Sequence, residues 1–298
     1  MRLSNFSEFD LIKRFRKQIT TDTSVFKGSG DDCAVLNFDK KHYQLLTCDM
    51  LVQGVDFTAQ CDLRLVGRKA LAVSISDIAA CAGIPRYAVV SLGLPRQISL
   101  KQVDRLSGGL FALAKEYAIN IVGGDISRSE KLVIDVSMLG IVEKKNLCLR
   151  EGAKAQDLIF VTGPLGGSIR GKHLKFTPRL KEAHFLVRQA KINSMIDISD
   201  GLAQDLGHIL KASAKGALLY EELIPLSRES HGLSDALYSG EDFELLFTLS
   251  ELEAKKLSRA KKFSFRQIGR ITQEEGLKLV KKNNKIVSLT AKGYDHFR

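Results

Sequence analysis

Met195-Ile196-Asp197-Ile198-Ser199-Asp200-Gly201-Leu202-Ala203 passes from an apolar strand into a helix, with acids where the two meet. Met195 to Ile198 reads as a buried strand, and Leu202 to Ala214 carries apolar residues at helical spacing. Gly201 marks the change of direction between them. Asp197 and Asp200 can flank one cluster, and Ser199 can donate to a phosphate. The helix N-terminus adds N–H groups and a favourable dipole for an anion. A rival reading gives Asp200 the simpler task of capping the helix.

The same placement of acids recurs along the chain. Gly28-Ser29-Gly30-Asp31-Asp32 sets two carboxylates on a glycine-rich turn, and alternation along an extended segment would aim one of them, Asp31, at a metal. Asp49 in Thr47-Cys48-Asp49 would project from the end of the strand Tyr43 to Thr47, with the Thr47 hydroxyl and the Cys48 main-chain oxygen nearby. The Cys48 side chain reads as a buried small residue. Asp77 stands alone in the small-residue helix around Ala72-Val73-Ser74-Ile75-Ser76, where an acid needs either an arginine or a cation. Gly123-Gly124-Asp125 would end the strand Ile119 to Val122, letting backbone approach phosphate while Asp125 holds a metal; Arg128 and Arg150 are available phosphate contacts. Carboxylates on closely approaching backbone suit hard divalent cations, which commonly neutralise phosphate chains. The chemistry these residues favour is ATP-dependent phosphoryl transfer.

Other chemistries lack their residues. The six histidines show no paired zinc spacing, and no GxxxxGK[ST] loop or kinase-type HRD or DFG set is present. The five cysteines form no CxxC pair, which speaks for a reducing cytoplasm over a disulfide framework. No run has the length and hydrophobicity of a membrane span. The net charge of +11 admits a nucleic-acid-binding module as a reading from a different class. Against it, the basic residues are not interleaved with aromatics, and a phosphate-rich substrate would profit from the same field.

A chain of 298 residues fits two domains. Apolar runs at 43–47, 87–94, 119–122 and 132–142, with helices at 63–82 and 100–117, make the first half mixed α/β with an antiparallel component. The polar stretch 144–156 marks the junction. Strands then follow at 158–162, 195–198, 217–220, 243–249 and 266–271, helices at 182–190, 202–214 and 251–259, and a terminal hairpin turning at Asn283-Asn284.

Taken in order, Gly30-Asp31-Asp32, Thr47-Cys48-Asp49-Met50-Leu51-Val52, Ser76-Asp77-Ile78-Ala79-Ala80, Gly123-Gly124-Asp125, Asp197-Ile198-Ser199-Asp200-Gly201 and Ser239-Gly240-Glu241-Asp242-Phe243 resemble the thiamine-monophosphate kinase family. That family belongs to the aminoimidazole ribonucleotide synthetase superfamily. The resemblance implies a two-domain α/β architecture with mixed sheets flanked by helices, divided at 1–148 and 149–298. It also implies direct transfer of the ATP γ-phosphoryl group to thiamine monophosphate, the last step of thiamine diphosphate biosynthesis, in a homodimer using several magnesium ions. On matching positions, Asp31, Thr47, Cys48, Asp49, Asp77, Asp125, Asp197 and Asp200 would hold magnesium; Gly124, Asp125, Arg150 and Ser199 would contact ATP. No dedicated general base is implied, because the acceptor phosphate is already ionised. Asp56, Glu241 and Tyr294 would meet thiamine monophosphate. A carboxylate and an aromatic face suit its cationic ring. Asp56 occupies a position where the family usually carries histidine, and there it would repel phosphate unless a metal or water intervened. Another synthetase or maturation enzyme of the superfamily, acting through a phosphorylated intermediate, is the alternative.

Overall fold

The structure is a computed structural model describing residues 6–297. Helix α1 (Glu8–Arg16) starts at Ser7, whose hydroxyl accepts the Asp10 N–H while the Asp10 carboxylate accepts the Ser7 N–H. Strands β1 (Val25–Lys27), β2 (Ala34–Asn37), β3 (His42–Val52), β4 (Ile84–Pro95), β5 (Asn120–Ser129) and β6 (Val133–Glu143) form the first sheet, in the order β1-β2-β3-β6-β4-β5. Only β4 and β5 pair in parallel. Helices α2 (Leu63–Ala80) and α3 (Leu100–Glu116) pack against it.

The second sheet contains β7 (Leu158–Val161), β8 (Ser194–Asp197), β9 (Gly216–Tyr220), β10 (Leu245–Leu249), β11 (Arg266–Thr272), β12 (Gly276–Val280) and β13 (Ile286–Leu289). Their order is β13-β12-β9-β11-β7-β10-β8. Helices α4 (Leu180–Gln189), α5 (Leu202–Ser213), α6 (Leu233–Tyr238) and α7 (Glu251–Arg259) complete this half. The β12–β13 hairpin turns at Asn284, whose φ of 62° is left-handed.

Helix α2 positions the rest. It is buried nearly all round, packing on α3, β3 and β6 of the first half and on α4 and β8 of the second. Leu174, Phe176 and Phe243 from the second half enter the core beneath the first sheet, and Ala79, Ala80 and Cys148 join a core with Leu186, Met195 and Phe247. The two sheets therefore share one buried boundary, crossed by α2.

Helix ends fall close to expectation, with local reasons. α2 stops at Ala80 because Ala82 turns left-handed (φ 55°) and the Gly83 N–H returns to the Ile78 carbonyl; α3 ends similarly at Ala118. Two strands are longer than expected. β3 continues through Thr47-Cys48-Asp49 to Val52, paired residue by residue with β6, and β5 runs through Gly123-Gly124-Asp125. These acids lie inside strands and not at their ends. Conversely β10 starts at Leu245, since Glu241 and Phe243 both have positive φ. Helices α1 and α6 and the short β1 are elements that the apolar pattern did not reveal.

α2 and α3 cross at glycines. A Cβ on Gly109 would lie 1.8 Å from the Arg64 carbonyl oxygen, and one on Gly67 would lie 1.9 Å from that of Leu106. Gly108, one residue away, has open space around it. Gly109→Ala should therefore destabilise the protein by about 1–3 kcal/mol through overpacking. Gly108→Ala should be neutral or stabilising, as Ala is the better helix former. Thermal denaturation of both variants checks this; equal melting temperatures would contradict it.

A buried carboxylate cluster as candidate active site

Asp77 projects from the last turn of α2 toward the bend before β2, the interior of β3 and the end of β8. Carboxylate oxygens of Asp32, Asp77 and Asp197 lie within 4.8 Å of one another. The Thr47 hydroxyl donates to Asp77, Ser74 donates to Asp49 at 2.7 Å, and Ser76 donates to Asp197 at 2.6 Å. Two serines within a single turn of α2 thus hold acids from β3 and β8, which lie on opposite sides of the domain boundary. The β3 alternation that points Thr47 and Asp49 inward sends Cys48 outward, where its exposed thiol lies 3.3 Å from an Asp135 oxygen. The expectation of a buried Cys48 side chain is corrected by this register.

Asp31 and Asp32 both turn inward, because residues 29–33 form a bend to which strand alternation does not apply. Asp31 groups with Asp32 and Cys81 and accepts the Arg150 N–H at 3.1 Å. Asp32, passed over in favour of Asp31 on sequence grounds, belongs to the group around Asp77 and pairs with Arg150 at 2.7 Å. Asp77 has acids for charged neighbours, in place of the arginine that one reading of its helix required.

Burial and mutual repulsion push these carboxyls upward. Burial, then Asp32, brings Asp31 to about 7. Burial likewise raises Asp49 to about 6, with Asp135 and Asp32 adding to it against the Ser74 hydrogen bond. Asp197 is raised to about 8 by burial and Asp32. Asp77 lies well above the usual carboxylate range through burial and the charges of Asp49, Asp197 and Asp32. The Arg150 guanidinium is half the answer: burial works against its charge, but Asp32 and Asp31 hold it on. Among the described residues, Asp32 Oδ2 and Arg150 Nε are buried without a hydrogen-bond partner. An all-oxygen donor set with an orphaned carboxylate oxygen fits a hard divalent cation.

At the start of α5 the cap is Gly201, and Asp205 accepts the N–H groups of both Asp200 and Gly201 at 3.1 Å. Asp200 is therefore not the cap. It accepts from Gln204 at 3.1 Å, and its carbonyl takes the Tyr294 N–H at 3.0 Å. Asp200, Asp205 and His208 form a second oxygen-rich group, with Phe9 of α1 against the His208 ring at 5.3 Å. Asp205 escaped the sequence reading; its signal was an acid in the first turn after a glycine that cannot cap with a side chain. Ser199 gives its carbonyl to the Glu241 N–H.

Asp125 lies apart from these acids. In register it lines up with Ser91, Asp135 and Met50 across the sheet, on the face turned away from α2. Gly124 is there for packing, since a Cβ would lie 1.9 Å from the Val90 carbonyl oxygen. Arg128 is exposed on the same edge strand.

The residues expected at the acceptor end do converge. Glu241 is paired with the fully buried Lys69 and lies 2.9 Å from His173. Lys69 also donates to the Asp56 carbonyl at 3.0 Å. The Asp56 carboxylate accepts the Val52 N–H at 2.7 Å and so holds its own turn. Tyr294 is raised by partial burial and by the charges of Asp56 and Glu241, which places those acids within electrostatic reach of its ring. Lys69 and His173 were absent from the sequence reading. A cleft of about 1050 Å³ elsewhere on the boundary, lined by His42, Arg86, His184 and Arg188, contains none of the clustered acids.

Comparison with known proteins assigns both halves of the chain to one family. Residues 30–142 match the AIR synthase related protein, N-terminal domain, and residues 148–282 its C-terminal domain. The thiamine-monophosphate kinase of Buchnera aphidicola subsp. Schizaphis graminum is 36% identical, with 98% of this chain and 99% of the relative covered. That of Bacillus subtilis is 32% identical over the same shares. The solved structure of AaThiL complexed with AMPPCP and TMP superposes with a TM-score of 0.87 at 31% identity, covering 99% of both chains. The chain accordingly belongs to the AIR synthase related family, in its thiamine-monophosphate kinase branch.

Proposed function

We propose that this protein transfers the γ-phosphoryl group of ATP directly to the phosphate of thiamine monophosphate, giving thiamine diphosphate and ADP. The observation that carries the reading is the convergence of Asp32, Asp49, Asp77 and Asp197 from both halves of the chain. Full-length likeness to thiamine-monophosphate kinases supports it. Two polyanions must meet in line, so the protein's task is to hold them and offset their repulsion. Magnesium, when bound, would supply Lewis acidity and charge neutralisation at the phosphates.

Asp31, Asp32, Thr47, Asp49, Asp77, Asp197 and Asp200, with the Cys48 main-chain oxygen, would hold the ions. Arg150 and Ser199 would face ATP from the junction and from the bend after β8. Glu241 and Tyr294 would take the thiazolium end, with Asp56 stabilising the adjacent turn. No side chain is assigned as a general base. The domain boundary would fall at 148/149, and the free thiols fit action in the reducing cytoplasm.

Two copies would pair through the outer face of the first sheet, where Leu46, Met50, Tyr87 and Val89 are exposed. Asp125 and Gly124 lie on that sheet, with Asp125 in line with Met50, so their contribution to metal and ATP binding would depend on the paired state. Met50→Lys should shift the protein from dimer to monomer in sedimentation velocity; an unaltered dimer would exclude this face.

Purified protein with ATP and magnesium should convert thiamine monophosphate to thiamine diphosphate, and no conversion would overturn the reading. Asp77→Asn should reduce turnover on the order of 100-fold or more. In the absence of divalent ions the same variant should melt at a higher temperature than the parent, because a repelled buried carboxylate has been neutralised. Lower activity with lower stability would mean that Asp77 serves the fold alone.

The raised carboxyls also set a pH dependence. With folded values of about 7 for Asp31, about 6 for Asp49 and about 8 for Asp197, against an ordinary value of 3.8, the folded state binds more protons than the unfolded state between about pH 4 and 8. Without divalent cations the melting temperature should therefore fall as pH rises through that window. Magnesium should reverse most of the fall at the alkaline end. A chelated sample with a flat profile would contradict the repulsion.

A further inference from the structure

Lys69 is a charged residue in the middle of the most buried helix of the protein, with 0% exposure. Such a group is tolerated only where its hydrogens are satisfied and its charge is opposed. Its ammonium meets the Asp56 carbonyl at 3.0 Å, His173 Nδ1 at 3.1 Å and Glu241. Those partners come from three segments distant in sequence: the turn after β3, the loop before α4, and the block before β10. Glu241 keeps 23% of its side chain exposed, while Lys69 has none. The pair therefore has a fully closed cationic end and a partly exposed acidic residue, whose Oε1 meets Lys69 while Oε2 is buried without a hydrogen-bond partner.

The Glu241 backbone is strained: Gly240, Glu241 and Phe243 have φ of 68°, 56° and 50°. Neighbouring residues hold that conformation. The Glu241 N–H binds the Ser199 carbonyl at 2.6 Å, and Asp242 accepts the Gly166 N–H at 2.8 Å and the Ser168 hydroxyl. Phe243 stacks on Phe176 at 4.1 Å, and Glu244 pairs with Lys172 at 3.0 Å and Arg179 at 2.7 Å. Every side chain from 242 to 244 thus fastens the loop that carries His173 to the block that carries Glu241. His173 Nδ1 lies 3.1 Å from Lys69 and 2.9 Å from Glu241, and one ring nitrogen either accepts from the ammonium or donates to the carboxylate. In both forms it keeps the other two groups in line.

We infer that Lys69 and His173 are positioning residues of the acceptor site: they keep Glu241 ionised and oriented so that the site prefers a cationic ring ahead of the acceptor phosphate. This rests on the reading of Glu241 as the contact for the thiazolium. Without the ammonium behind it, a mostly buried carboxylate takes up a proton and loses its attraction for a cation. The first helical layer of one domain thereby sets the substrate preference of a residue on the other.

The test compares thiamine monophosphate with 3-deazathiamine monophosphate, which keeps the phosphate and the pyrimidine but has a neutral thiophene in place of the thiazolium, as competing ligands of the full-length enzyme. In the parent protein the cationic ligand should bind more tightly. Lys69→Met should reduce that preference about tenfold, the size of a desolvated cation contact. The KM for ATP should stay within about twofold, and Lys69→Arg should restore part of the preference. Lys69→Met combined with Glu241→Gln should discriminate no worse than Glu241→Gln alone, because both act through one carboxylate. An unchanged preference in Lys69→Met, or additive losses in the double variant, overturns the inference. Should Lys69→Met fail to fold, His173→Gln decides: reduced preference with unaltered ATP affinity supports the assignment, and unaltered preference refutes it. A parent enzyme that does not phosphorylate thiamine monophosphate refutes the proposed function instead, a result separate from either.

Discussion

The repulsion among carboxylates around Asp77 is the constraint that the architecture has to contain. Asp32, Asp49 and Asp197 all act on Asp77, in a region from which water is largely excluded. Like charges at this spacing are costly in a low dielectric. The fold opposes them with an apolar core that both sheets share across α2 and with hydroxyls spaced along that helix. Arg150 alone cannot balance the group, which is why an electrostatically incomplete site is maintained by packing far larger than itself.

That division of labour explains why α2 is both the most buried of the described helices and the one richest in functional contacts. Its small residues let β3, β6, β8 and α4 approach closely. Close approach brings Ser74, Ser76 and Asp77 within reach of acids on separate strands. One turn and a half earlier the same helix supplies Lys69, where the local problem is reversed and a buried cation is opposed by Glu241. A single rigid element therefore separates an acid-rich compartment suited to metal and phosphate from a paired compartment suited to an organic cation.

Much of this was legible in the residue pattern, and the failures have physical causes. The small-residue run 72–80 announces a buried helix, and the acid-bearing blocks around 31, 49, 77 and 197 do meet in space. What periodicity could not give was which way each side chain points. Asp49 and Asp125 interrupt apolar runs and so imitate strand ends, yet main-chain ladders continue through both. A one-residue step then separates inward Asp49 from outward Cys48, and register alone puts Asp125 on the opposite face. Asp32, Asp205, Lys69 and His173 depend on bends, a side-chain-free cap and contacts more than 100 residues apart, such as the 104-residue separation of Lys69 and His173. None of these leaves a local periodic signal.

The block 240–244 shows how such long-range contacts become affordable for the backbone. Left-handed φ at Glu241 and Phe243 is unfavourable for residues with a Cβ, and nothing in their own sequence neighbourhood compensates for it. The compensation comes from the loop before α4, which presents Gly166, Ser168, Lys172 and Phe176 to successive side chains. Because alternate residues of the block turn in different directions, Glu241 reaches the domain boundary while Asp242 and Glu244 remain within their own half. Had residues 240–244 extended β10 as a regular strand, Glu241 would follow the alternation of that strand, and its ion pair with a residue of the other sheet's helix would be lost. The strained turn is thus the feature that lets an acid of one domain reach the buried Lys69 of the other.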